Sequence, residues 1–319
     1  MKNRTQYING RFLTQKMTGV HRYAYERCRA MQQEGIPFVI VCPRGSLRPE
    51  YDLTDMAVRR FGFGGSHFWE QLVLPWFFLF RPAALLISFM GLAPLLVRHT
   101  VMTVHDLSFL FNPRWYSRAY YHFYRFMTPL CARHAERIIT VSNTSKKDIL
   151  AHYPFLDAAK IDVVPPVVNR RFFCPAELKR EPFVLAVASI DPRKNLRMLV
   201  KAVSADPSVS LKIVGGFNRV FAETDMPKAS NVEWLGRVSD EQLRRLYRTA
   251  AVFVYPSLFE GYGIPPVEAA ACGCPVAVSD IEVLHETCDP LRENGAVVRY
   301  FNPLNEKDIL LKINEILHS

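Results

Sequence analysis

Residues 259–280 read FEGYGIPPVEAAACGCPVAVSD. Two carboxylates, Glu260 and Glu268, stand seven residues apart, with Gly261, Tyr262, Gly263 and two prolines between them. Glycines let a backbone approach a ligand closely. Pro265 and Pro266 suit the first turn of a helix, where a missing N–H costs least. The stretch therefore reads as a loop running into a helix N-terminus, with Glu268 expected in the first turn. Free amides and the positive end of a helix dipole attract phosphate. Carboxylates repel phosphate but accept hydrogen bonds strongly from sugar hydroxyls. One ligand carrying both a sugar and a phosphate satisfies both halves of the pattern.

Two further stretches offer complementary groups. SIDPRKNL, 189–196, places Arg193 and Lys194 where a strand gives way to a helix. Adjacent cations there can balance a diphosphate. VMTVHDLSF, 101–109, carries His105 and Asp106 out of a buried strand, where an imidazole can meet a reacting centre. Near the N-terminus, Gly19 in MTGVHRYAYE marks a turn into a helix and another place for close backbone approach. GFGG at 62–65 looks like part of a dinucleotide fingerprint, but with no clear strand before it and no acidic residue at the right distance it is set aside.

The elements that position these groups alternate. Strands are expected near 38–42, 84–88, 100–106, 137–142 and 161–165, with helices near 20–34, 66–80, 117–134 and 143–152. After a Pro-rich, charged stretch at 166–182 that reads as a linker, the pattern restarts. Strands near 183–189, 209–216, 231–236, 251–257 and 275–279 alternate with helices near 192–204, 239–250 and 265–272. Ser239 and Gln242 have the spacing of a capping box. Continuous apolar strands alternating with helices indicate α/β architecture: two Rossmann-like, doubly wound parallel sheets. Ligands of such sheets gather at the carboxyl ends of the strands, and here also in a cleft between domains.

The 319 residues suffice for two domains, and an apolar content of 49% supports real cores. Charge is uneven. Residues 1–175 hold 23 Lys+Arg against 11 Asp+Glu, and the remainder hold 17 against 19. A basic first half suits an anionic partner: nucleic acid, an anionic bilayer or a phosphorylated lipid. There is no recognition motif for nucleic acid, so none is expected as partner. The seven cysteines show no zinc-ligand spacing and read as buried thiols of a cytoplasmic protein. The N-terminus lacks the apolar core of a signal peptide. The greasiest run, 72–97, is broken by Pro75, Arg81, Pro82 and Pro94, and reads as a short helix and a buried strand, with a membrane-surface helix as the second reading. No Asp-x-Asp pair, Walker-type phosphate loop or Gly-x-Ser-x-Gly elbow occurs.

Taken together, EGYGIPPVEA, PRKNL, TVHDLSF, HFWEQLVLPWF (67–77) and RHAERIITVSNTSKKDIL (133–150) resemble glycosyltransferase family 4, retaining nucleotide-sugar enzymes of the GT-B fold. The similarity runs over roughly residues 15–318. It implies an acceptor-side domain at 1–175 and a nucleotide-sugar domain at 176–319, facing a cleft. It implies that Glu260 holds hydroxyls of the donor sugar and Glu268 contacts the ribose side. Arg193 and Lys194 would balance the diphosphate, and the backbone around Gly261, Tyr262 and Gly263 would touch sugar or phosphate. His105 would line the donor sugar and Gly19 would lie by the diphosphate. The implied reaction is retaining transfer of a hexose, mannose first, from GDP-mannose or a related donor to a lipid-diphosphate-linked glycan. It needs no metal or other cofactor and takes place at the inner membrane face. Similar enzymes usually continue past NEKDILLKINEILHS with a helix that crosses back to the first domain, which motivates an alternative: a non-catalytic partner subunit that binds nucleotide sugar.

Overall fold

In a computed structural model, residues 4–169, 174–176, 178–216, 227 and 229–318 are described. By internal contacts the chain forms two compact units, one comprising Met1–Leu107 and Phe123–Val167, the other Ser108–His122 and Val168–Ser319.

The first unit is built on a seven-stranded sheet: β1 (Gln6–Asn9), β2 (Phe38–Cys42), β3 (Val58–Arg60), β4 (Leu85–Ser88), β5 (Thr100–Thr103), β6 (Arg137–Thr140) and β7 (Ile161–Val163). Their order is β3-β2-β1-β4-β5-β6-β7, with every pair parallel. The chain winds outward one way from β1 and then the other way from β4. The carboxyl ends of β1 and β4 thus flank the switch point, where open parallel sheets bind ligands.

The second unit carries β8 (Glu181–Val187), β9 (Ser210–Val214), β10 (Val232–Gly236), β11 (Ala250–Tyr255), β12 (Val276–Ser279) and β13 (Val298–Phe301). Their order is β10-β9-β8-β11-β12-β13, again all parallel, with the switch point between β8 and β11. Alternate residues of β8 serve opposite faces: Val184 and Ala186 pack with helices Leu196–Ser204 and Glu306–Leu317, while Phe183 and Leu185 join the core that Glu282–Glu293 covers on the other side. Both faces are covered, which is why these strands read as continuous apolar runs.

The doubly wound parallel architecture is the expected one. Several details differ from the sequence reading. β1 lies at the switch point of its sheet, yet QYIN buries only Ile8 and Asn9 and is too short and polar to stand out. β3 was not expected; it precedes the GFGG run and is an edge strand with both arginines exposed. β13 and the last two helices were not expected either. The stretch read as a linker ends inside β8, which starts at Glu181; residues 170–173 and 177 lie outside the described ones. The capping box at Ser239 and Gln242 forms in both directions.

Candidate active site

The two cations and Glu260 meet at the switch point of the second sheet. After β8 the chain turns through Asp191, whose carboxylate accepts the Arg193 amide at 3.1 Å and the Ser189 hydroxyl at 2.6 Å. Pro192 opens a short 3-10 turn, Pro192–Lys194, and Asn195 at φ +54° hands the chain into the next helix. After β11 the loop returns so that the Leu258 amide donates to the Arg193 carbonyl at 2.9 Å. The two loops are thereby tied together by backbone.

Their side chains close the cluster. Lys194 Nζ donates to Glu260 Oε1 at 2.5 Å and to the Tyr255 hydroxyl at 2.8 Å. Arg193 Nη1 reaches Glu260 Oε2 and the Phe259 carbonyl, each at 3.4 Å. Lys194, Glu260 and Asp191 are buried. Burial alone would raise the Glu260 carboxyl, but the charges of Lys194 and Arg193 outweigh it and hold the group down at about 2. Burial also pulls Lys194 below the usual lysine value, against the attraction of Glu260. Tyr255 is pushed well up, by burial and by Glu260. Glu260 is therefore a fixed anion, an acceptor of hydrogen bonds and not a proton donor. The sequence separated acidic from cationic groups; the structure pairs them directly. Tyr255 and Asp191 escaped notice, although an Asp before Pro192 is a legible cap signal.

The helix that follows, Ile264–Ala271, starts at Gly263. Gly263 has φ +93°, and a Cβ there would lie 2.7 Å from Leu284 Cδ2, so no other residue fits without strain. Glu268 sits one turn further along than expected; the first turn holds no acidic residue. It is buried and accepts from the Tyr247 hydroxyl at 3.2 Å. With Pro265 and Pro266 in the first turn, two of the helix's leading amides are missing. This N-terminus is a poorer anion site than the sequence reading assumed. Tyr262 is half-buried beside the two glycines.

The first unit brings together a different set. His105 follows β5 and donates from Nε2 to the Phe89 carbonyl, 2.9 Å away, just after β4. Its ring stands edge-on to Tyr23 at 4.9 Å. Burial lowers its basicity, against the Phe89 bond and Asp106, so the ring is held neutral. Gly19 is the first residue of helix Gly19–Gln33, and a Cβ there would meet nothing within 4 Å. Beside it His21 contacts Thr18 Oγ1 at 2.5 Å and Gln15 Oε1 at 2.9 Å. Burial, then Arg11 and His105, pull its basicity down to about 4. At the carboxyl end of β1, Asn9 donates to buried Glu70 at 2.7 Å, and His67 Nδ1 lies 2.8 Å from the same carboxylate. That network belongs to the HFWEQ segment, whose roles sequence alone did not separate. Among the described residues no group of His, Cys, Asp and Glu is arranged to hold a metal ion.

The comparisons decide the family. Residues 17–172 match the model described as Glycosyltransferase Family 4, and 170–319 the one described as Glycosyl transferases group 1. The chain belongs to glycosyltransferase family 4. It is 35% identical over 218 residues to the O-antigen chain mannosyltransferase RfbU of Salmonella typhimurium, covering 66% of this chain and 59% of that one. It is 30% identical over 198 residues to an MMP alpha-(1->4)-mannosyltransferase of Mycolicibacterium hassiacum, covering 59% and 47%. The matched stretches thus span about half the length of these curated relatives. Among solved structures, sucrose-phosphate synthase of Thermosynechococcus elongatus aligns over 100% of this chain and 90% of its own, with a TM-score of 0.74 at 16% identity. The family member here has the GT-B type of fold, two parallel α/β sheets of seven and six strands.

Proposed function

We propose that the protein is a retaining hexosyltransferase that moves mannose from a nucleotide diphosphate sugar, GDP-mannose first, to a lipid-diphosphate-linked glycan at the cytoplasmic face of the inner membrane. The observation that carries this reading is the buried Arg193–Lys194–Glu260 cluster at the switch point of the second sheet. The mannosyltransferase names of the relatives support the choice of sugar.

On this reading the donor re-partners the cluster. Glu260, ionised and unable to give up a proton, accepts from sugar hydroxyls. Arg193 and Lys194 turn toward the diphosphate, stabilising the charge that develops as it leaves. The bond between the anomeric carbon and the phosphate oxygen breaks. A bond from the acceptor oxygen forms on the same face, and the acceptor's proton passes to the departing diphosphate. Gly261 to Gly263 present backbone to the donor, and Glu268 receives a ribose hydroxyl. His105 and Gly19 line the donor from the first unit. The reaction as drawn needs no metal.

A thermal-shift screen across nucleotide diphosphate sugars tests the donor, because a ligand that binds only the folded state raises Tm by mass action. GDP-mannose is expected to give the largest shift, and Glu260→Gln to remove transfer from a lipid-linked acceptor assay by at least about a thousandfold. Unchanged turnover in that variant would overturn the site. Donor binding by the wild type with no turnover on any lipid-linked acceptor would leave a binding subunit instead.

A further inference from the structure

The second half of the helical run 66–78 of the first unit, continued to Phe80 as LVLPWFFLF, is apolar all round. Its inner side, with Trp69, Val73, Leu74, Phe77 and Phe78, packs against Val41, Leu86 and Val97. A helix with no polar face is ordinarily buried on every side. Here the outer side faces solvent: Phe68, Leu72 and Trp76 recur every fourth residue, and Leu79 and Phe80 extend the stripe past the helix end. Trp76 is 67% exposed and Phe80 89%. Phe63, also exposed, stands with its ring 6.3 Å from that of Phe68. Leu96 joins the same surface, because its neighbour Leu95 donates a backbone amide to Gln71 in the helix.

The charges that flank this stripe in the chain are nearly all positive. Within the first unit, residues 56–107 and 123–135 contain six arginines, no lysine and two carboxylates, Glu70 and Asp106. Glu70, the one carboxylate of the helical run, is fully buried against Asn9 and His67 and adds no negative charge to its outer side. In the first unit, exposed Arg59 and Arg60 lie on edge strand β3, and Arg98 directly follows the loop that carries Leu96. Arg81 follows Phe80, its guanidinium 4.1 Å above the Phe77 ring. An aromatic and aliphatic face fringed by cations is the composition that lies in the headgroup region of an anionic bilayer, with Trp at the boundary. A face made only for another protein would not need such uniform positive charge. Among the described residues no helix is long and apolar enough to cross a membrane, so the contact is one of lying on the surface.

We infer that the Phe68–Leu72–Trp76–Phe80 face, with its arginine fringe, is the surface by which this chain inserts into an anionic bilayer. It deepens the proposed function, and rests on the lipid-linked acceptor for its purpose though not for its observations. The test is flotation with vesicles of phosphatidylglycerol and phosphatidylethanolamine, beside phosphatidylcholine vesicles. The wild type is expected to float with the anionic vesicles, and brominated lipid is expected to quench Trp76, a signal that Trp76→Phe removes. Replacing Phe68, Leu72, Trp76 and Phe80 together by serine is expected to lower partitioning by about a hundredfold. Because all four are exposed, Tm and the donor-induced shift should hold. Arg59→Glu with Arg60→Glu should weaken binding to the anionic vesicles alone. A wild type that ignores both vesicles, or that binds them unchanged after the four serines, overturns the inference and leaves the transfer reading standing. So does a dimer that the serines convert to monomer without any lipid quenching, which would assign the face to a second copy. Vesicle binding without donor binding would sink the proposed function and leave this inference intact.

Discussion

The two sheets place different sets of polar groups at equivalent ends of the same architecture. In the second, a charged cluster is buried where β8 and β11 part, with Lys194 2.5 Å from Glu260. In the first, the imidazoles of His21 and His105 are held neutral by burial, with Arg11 adding to the effect at His21. The second site is built around ions, whereas the first sets neutral imidazoles near a buried ion pair, Arg11 with Glu70 at 3.6 Å. On the proposed reading, the second unit handles a diphosphate's charge and the first shapes and orients. The largest expected effect breaks the charged side. Lys194→Met leaves Glu260 buried without its 2.5 Å cation and with the Arg193 guanidinium no nearer than 3.4 Å, and removing one partner of a buried pair costs about 3–5 kcal/mol. Chemical denaturation should show that loss. Adding Glu260→Met should recover most of it, since an apolar pair of similar volume removes the stranded charge. If the double variant is no more stable than the single, the cluster is not held by this pair.

The neutral side is tested by pH. His21 titrates near 4 in the folded chain and near 6.5 when unfolded. Between those values the unfolded chain binds more protons, so stability rises with pH. The contribution is complete above pH 6.5 and is lost as pH falls toward 4, amounting to at most about 3 kcal/mol. Denaturant midpoints followed from pH 7 to 4 should fall in the wild type and fall less in His21→Asn. Equal slopes would mean that the ring is not kept neutral by its surroundings.

How much of this was legible beforehand follows from what each signal depends on. The parallel, doubly wound class was readable because FVLAVAS and AVFVYPS are apolar runs buried on both faces, and such runs carry their burial in their composition. β1 was not, because QYIN becomes a strand through its neighbours on both sides, β2 and β4, and not through its own residues. Glu260, Arg193 and Lys194 could be chosen from residue type and spacing. Their direct pairing could not, because it depends on the Leu258–Arg193 backbone bond that ties two loops 65 positions apart in the chain. Glu268 was misplaced by one turn for a local reason. The helix starts at Gly263, where a left-handed backbone is needed, and counting from Gly263 puts Glu268 in the second turn.

Gly263 sharpens the contrast between a glycine the fold requires and one it does not. Gly263→Ala places a methyl 2.7 Å from Leu284 Cδ2 at φ +93°. Left-handed strain alone costs about 1–2 kcal/mol, and the contact with Leu284 adds to it. The variant should lose that much stability in denaturation, together with donor binding.

Gly19 is the other case. A methyl there meets nothing within 4 Å, and its φ is not left-handed. Alanine is also the better helix former, by up to about 1 kcal/mol in a helix interior and less at a first position. Gly19→Ala should therefore leave stability unchanged or slightly raised. If the residue is glycine only for the fold, nothing else should change. If it is glycine because a donor phosphate approaches the start of helix Gly19–Gln33, the donor's KM should rise while the unfolding midpoint stays in place. A stable variant with an unaltered KM would remove Gly19 from the donor site, while the charged cluster of the second sheet would keep its own geometric support.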